Sequence, residues 1–241
     1  MRRYMQGTLD FTCGIYAVIN ALSCVYEISL ANARTIFQET MQALSEQERL
    51  WNSFLRNETD HYWLIRWLLG RWCLEPPWRL GLRQPFSGCL SPQQRGNSLA
   101  EMELYLPETY PPDGPACPAE AASEAAAVWD ALTDWFERKN SEESRAAVLR
   151  FHRFIPGARK PVVSHWTTAQ GITDKAILLH DASAEPGSLF LLERKSLLPE
   201  IQRTALLRIV PESVALLSGP VKKNAGQHRP WSGRVPAPQN L

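Results

Sequence analysis

The sequence has no CxxC pair, no run of eighteen apolar residues and no excess of either charge. Each absence removes a class of protein. The five cysteines (Cys13, Cys24, Cys73, Cys89 and Cys117) are odd in number, which argues against a complete disulfide framework. A reduced, intracellular setting is expected instead. The most apolar stretch, "YWLIRWLLGRWCL" at 62–74, carries Arg66 and Arg71 and reads as a core or amphipathic helix, so no membrane span is expected. Twenty-six basic against 25 acidic residues leave a net charge of +1, and Arg2-Arg3 is too short for a basic arm. That balance excludes the electrostatic footprint of a nucleic-acid binder. The opening "MRRYMQG" runs into polar "TLDFT" rather than an apolar h-region, so no secretory signal is read. A cytoplasmic location is expected, with export as an effector lacking a classical signal peptide as the alternative. His61, Cys73, Cys89 and Cys117 lack the close paired spacing of a zinc site. No metal and no cofactor are expected, and no internal repeat is visible.

What is present is a substantial apolar content and an aromatic load. Hydrophobic residues make up 44% of the 241, enough for a sizeable core, and nine are tryptophan. Rings of that size bury much area, predicting wide helix–helix contacts or an aromatic-lined cleft. The set Trp51, Trp63, Trp67 and Trp72 is most simply core.

The first helix is predicted to start at or near Cys13, with Asp10 or Thr12 accepting its free N–H groups. It is apolar nearly all round through Val25, the mark of a buried central helix. A second helix is expected over 29–44 with Ser29 as cap. Ser45 and Glu48 form a capping-box pattern for a third, running to about Arg56. A fourth covers about 59–73. The proline-rich stretch 75–118 reads as irregular, with a short strand or helix around "AEMELYL", and would wall a binding site or be a plain loop. Alanine content and helical spacing predict a helix over 119–139. The period then changes, and 146–154, 161–170, 175–182, 188–194 and 204–210 read as strands joined by short connections, hence antiparallel. Helices first and a sheet afterwards is an α+β order. The expected organisation is one domain over 1–218, with a helical lobe at about 1–140 and a sheet lobe at about 141–218. A flexible tail is expected over 219–241.

A cysteine heading an apolar helix is, by itself, more often a packed thiol. Other residues weigh against that reading. A cysteine nucleophile needs a base or imidazolium partner and a group to orient it. Backbone N–H groups at a helix start favour a negatively charged sulfur, and Cys13 stands at such a start. Gly14 would let a substrate approach the backbone. The Cys13 N–H and the Gln6 amide would donate to an oxyanion. His165 lies mid-strand, sharing a face with Val163 and Thr167. A hairpin turning near Thr173 would set Asp181 roughly opposite His165, a cross-strand pair that fixes the ring tautomer. Asp181 has an alternative role, capping the turn "ASAEPG". The adjacent His180-Asp181 pair resembles a metal phosphohydrolase motif, but alternation points His180 to the other face and no second cluster is near. His152, alternating with Arg150, is expected to be solvated.

The blocks "QGTLDFTCGIYAVINAL", "SHWTTAQGI" and "LLHDAS" together resemble the Gln, Cys-Gly, His-Trp and Asp blocks of papain-like cysteine peptidases. The nearest likeness is to the double-glycine leader peptidases that process bacterial peptides and their stand-alone relatives. The resemblance covers about forty residues; 27–145 matches nothing nameable. It implies a papain-like α+β fold, with a central nucleophile helix and helical subdomain packed on an antiparallel sheet. It implies Cys13 as nucleophile, His165 as general base, Asp181 as orienter and Gln6 as oxyanion donor. The Gln6-to-Cys13 spacing departs from the family's by one extra residue, with Phe11-Thr12 standing where one is usual. The expected activity is hydrolysis of a peptide or isopeptide bond through an acyl-enzyme, in a bacterial effector-like or regulatory enzyme acting on a protein or peptide. Glutamine deamidation or acyl transfer would use the same acyl-enzyme. A papain-like binding module without turnover is the reading of a different class.

Overall fold

Eleven of the fourteen residues of the first helix, α1 (Cys13–Tyr26), are buried, from Gly14 to Val25 with Tyr16 the exception. A helix with no polar face must be covered on every side. The protein, seen here in a computed structural model, covers it with helices on one side and a sheet on the other. The structure describes residues 12–26, 28–55, 62–74, 78, 80–86, 99, 118–138, 142–154, 161, 163–181, 191–197 and 207–220.

Helices α2 (Leu30–Ser45), α3 (Glu48–Leu55) and α4 (Tyr62–Leu69) form the rest of the first helical layer, and α4 continues into a π-turn over Gly70–Leu74. Ser29 caps α2 as expected, accepting the Asn32 N–H at 3.1 Å. The expected Ser45–Glu48 capping box does not form. Ser45 is the last residue of α2, and its hydroxyl donates to the Gln42 carbonyl at 2.7 Å, back into its own helix. A serine inside a helix bonds backward in this way when it does not stand at the cap position.

Strands β1 (Gly81–Arg83), β2 (Glu143–Arg153), β3 (Val163–Ile172), β4 (Ala176–Leu179), β5 (Leu191–Glu193), β6 (Leu207–Ile209) and β7 (Ala215–Pro220) make one antiparallel sheet. Its order is β1-β7-β2-β3-β4-β5, with β6 also paired to β2. β7 lies along Glu143–Val148 of β2 and β6 along Phe151–Arg153, so two short strands share one edge of a long one. The fold is α+β. The strand β1 lies inside the proline-rich stretch expected to be irregular, and β7 was not anticipated. Gly219 and Pro220, assigned to the tail by sequence, end β7. The "AEMELYL" segment and the remainder of the tail lie outside the described residues.

The second layer is α5 (Pro118–Glu137), which packs on β2, β3 and β6 from the face opposite α1. Val128, Trp129, Leu132 and Trp135 meet Ala147, Leu149 and Phe151 there. Ala146 and Val148, alternating with them, join the core under α1. A short helix, α6 (Arg194–Leu197), follows β5.

Covering both faces corrects one expectation. Arg150 and His152 are 6% and 1% exposed, not solvated. Seven consecutive residues of β2, Ala146 to His152, are buried. Alternation of polar and apolar residues reports solvent only where one face of a sheet is open. The polar atoms of Arg150 are met within the fold: its Nε donates to the Ser164 hydroxyl at 2.8 Å, and its guanidinium lies 5.7 Å from the centre of the Tyr62 ring. His152 packs its ring against Phe154.

Candidate active site

The start of α1 is fixed by three contacts. The Thr12 carbonyl accepts the first helical bond, from Tyr16 N–H at 3.1 Å, so Cys13 is the first helical residue. The Thr168 hydroxyl donates to the Ala17 carbonyl at 2.6 Å, tying α1 to β3 just past its first turn. Gly14 is buried, and a Cβ built there would stand 2.8 Å from Ile65 Cδ1 and 3.7 Å from Trp166 Cδ1. Gly14 is therefore needed for the close approach of α4 and Trp166, and the room it was expected to leave for a substrate is filled by Ile65. The Cys13 N–H belongs to the first helical turn, whose donors have no acceptor within the helix. Cys13 itself is half-buried, whereas Cys24 and Cys73 are buried. Burial pushes the Cys73 thiol far up, so it is the inert kind of thiol.

β3 carries His165 close to its beginning, opposite Phe151 of β2, whose ring it meets edge-on at 5.6 Å. The imidazole is 16% exposed and the Asp181 side chain 2%. His165 Nε2 donates to Asp181 Oδ1 at 2.7 Å. The Cys13 thiol is its second neighbour, close enough to favour the protonated ring. With Nε2 taken by the carboxylate, Nδ1 is the nitrogen left for the thiol. Burial of the ring disfavours its charged form. The hydrogen bond with Asp181, the neighbouring Cys13 thiol and the negative charge of those two groups overcome that and raise the His165 pKa to about 10. The ring thus holds two protons at neutral pH.

The hairpin that joins these residues turns later than the sequence suggested. Ile172 pairs with Ile177 and Gly171 with Leu178, but Ala169 pairs with Leu179, so Gln170 is an extra residue, a β-bulge. Past the bulge the His180 N–H donates to the Thr168 carbonyl at 2.7 Å. That register sets Asp181 opposite Thr167, and His165 is reached diagonally. Thr167, 1% exposed, donates its hydroxyl to the same Asp181 Oδ1 at 2.8 Å. Sequence reasoning placed Thr167 on the face of His165 but gave it no role; its position two residues from the histidine was the available signal.

Trp166, the residue after His165, is 3% exposed and meets the Tyr62 ring edge-on at 5.3 Å. It closes the space between the start of α1 and β3. The structure thus brings together Cys13, His165 and Asp181. Gln6, the fourth expected site residue, lies outside the described residues, as do His61, Cys89 and Cys117. Among the described residues no group of three or more His, Cys, Asp or Glu side chains is arranged to hold a metal, and no helix is long and apolar enough to cross a membrane. Comparison with family models, with curated proteins and with solved structures gave no match to this chain.

Proposed function

We propose that the protein is a papain-like thiol hydrolase that cleaves a peptide or isopeptide bond, with Cys13 as nucleophile, His165 as its proton partner and Asp181 as the group that orients the ring. The observation that carries this reading is the double engagement of one imidazole. His165 is bonded through Nε2 to a buried carboxylate and has as its other neighbour a half-buried thiol at a helix start, which also favours the protonated ring. A thiol held only for packing needs neither neighbour, and Cys24 and Cys73 are buried where Cys13 is half-buried.

In this mechanism the Cys13 sulfur, as thiolate, attacks the carbonyl carbon, and the C=O electron pair moves to oxygen. The Cys13 N–H at the open first turn of α1 donates to that oxyanion. His165, protonated at rest, gives its Nδ1 proton to the leaving amine nitrogen as the C–N bond breaks, leaving a thioester on Cys13. Water then gives a proton to Nδ1 and attacks the thioester carbon. The C–S bond breaks, and the carboxylic acid and free Cys13 are released. Deamidation of glutamine would differ only in releasing ammonia, and acyl transfer only in replacing water with an amine.

The test is labelling of the folded protein with an electrophilic thiol probe, read by intact and peptide mass, together with a peptide-library cleavage assay. Cys13 is expected to react first, and cleavage to vanish in Cys13→Ala. A native protein whose Cys13 resists the probe, while the unfolded chain is labelled there, would refute the reading in favour of a papain-like binding module.

A further inference from the structure

Thr167 stands in a place where its hydroxyl has no packing purpose. On one side its register partner is Leu149, fully buried in the second core. A valine has nearly the same shape and would need no hydrogen-bond partner among such neighbours. On the other side is Asp181, and the hydroxyl is given to it. The oxygen that Thr167 bonds is Oδ1, the one that receives His165 Nε2. A second donor on that oxygen, from the strand that carries the histidine two residues earlier, holds the carboxylate oxygen where the ring meets it. The bulge at Gln170 shifts the pairing by one residue and so sets Thr167, rather than Thr168, across from Asp181.

We infer that Thr167 is a positioning residue for the catalytic imidazole: its hydroxyl fixes the Asp181 carboxylate, and the carboxylate fixes His165 toward Cys13. This rests on the thiol-hydrolase reading for its purpose, but its geometry can be tested separately. In the full-length protein, the His165 Nε2 proton is expected as a protected low-field NMR resonance, and the Thr167 hydroxyl proton as slow to exchange. Thr167→Val should abolish the low-field resonance and slow iodoacetamide alkylation of Cys13 about tenfold, the equivalent of one charge-assisted hydrogen bond. Thr167→Ser, which keeps the hydroxyl, should retain the resonance and most of the alkylation rate. A merely structural role would lower stability in both variants and leave the resonance in place. A Thr167→Val protein with unchanged resonance and alkylation rate overturns the inference. If that variant does not fold, a freely exchanging Thr167 hydroxyl in the unmodified protein overturns it equally. The hydrolase reading fails in another way: Cys13 would be inert in the unmodified protein while the resonance kept its dependence on Thr167.

Discussion

Asp181 stands across the hairpin from Thr167 and reaches His165 on the diagonal, so that one carboxylate oxygen receives both donors. Diagonal neighbours lie farther apart than direct ones but within reach of long side chains. Here the distance is closed by the histidine ring, and the direct position is filled by a residue short enough to touch the carboxylate from its own strand.

The first prediction concerns the thiol. Cys13→Ala should abolish cleavage by a factor on the order of 10³ or more, since removal of a nucleophile leaves only the binding and oxyanion contributions. Its melting temperature should stay close to that of the unmodified protein, because Cys13 is half-buried at a helix start. A native protein treated with a limiting amount of probe should carry label on Cys13 before Cys24 or Cys73. Peptide mass mapping checks both the site and the order.

The second prediction separates the charge of Asp181 from its shape. Without its carboxylate the ring keeps the burial that disfavours charge and loses the hydrogen bond and negative charge that offset it. In Asp181→Ala the His165 pKa is therefore expected to fall from about 10 toward its ordinary 6.5, as read by NMR titration. Cleavage should drop by about 10²–10⁴, the range for loss of positioned proton transfer. Asp181→Asn keeps an acceptor oxygen without the charge, and should lie between the two proteins in both measurements.

Much of the frame is legible in the sequence. The central helix is, because its apolar residues run all round and such a helix has one environment open to it. The strands β2, β3 and β4 are, because apolar runs are separated by turn residues. β1 and β7 are not. Each is short and rich in glycine or next to proline, and each is a strand through pairing to a neighbour rather than through its own propensity. Arg150 and His152 were misplaced because their polarity suggested water, while the helical layers on the two sides of the sheet together bury that strand on both faces; Arg150 lies on the side of α1 and α4, against Tyr62. The members Cys13, His165 and Asp181 could be chosen by residue type and order. Their geometry could not, because it depends on one bulged residue, Gln170. A register shift of this kind alters which side chains are opposite without changing any motif.

The third prediction is a pH dependence of stability. The His165 pKa is raised from 6.5 to about 10 in the folded protein, so the folded state binds the ring proton more tightly than the unfolded chain. Stability from this proton is then fully present below 6.5 and is lost as pH rises through about 10. The melting temperature should fall across this window in the unmodified protein, and the fall should be smaller in His165→Gln. Activity should follow the same proton, declining on the alkaline side as His165 loses the hydrogen it gives to the leaving group. A stability that rises through this interval, with His165→Gln unchanged from it, contradicts the assignment.

The last prediction tests why a glycine follows the cysteine. A Cβ at position 14 would lie 2.8 Å from Ile65 Cδ1, closer than carbon atoms pack, and Ile65 is only 2% exposed. Gly14→Ala should therefore destabilise the protein by about 1–3 kcal/mol, the usual effect of overpacking a core, despite the better helix propensity of alanine. The colliding atom is the terminal methyl of one side chain, so Ile65→Val, which removes it, should recover part of the loss when combined with Gly14→Ala. Denaturant melts of the two single variants and the double variant give the coupling directly. If Gly14 were conserving space for a substrate instead, Gly14→Ala would leave stability unchanged and Ile65→Val would not interact with it. Coupling through Ile65 would mean that the helix start is held by its packing on α4, and that the thiol is aimed at His165 by the same contact that excludes a side chain at position 14.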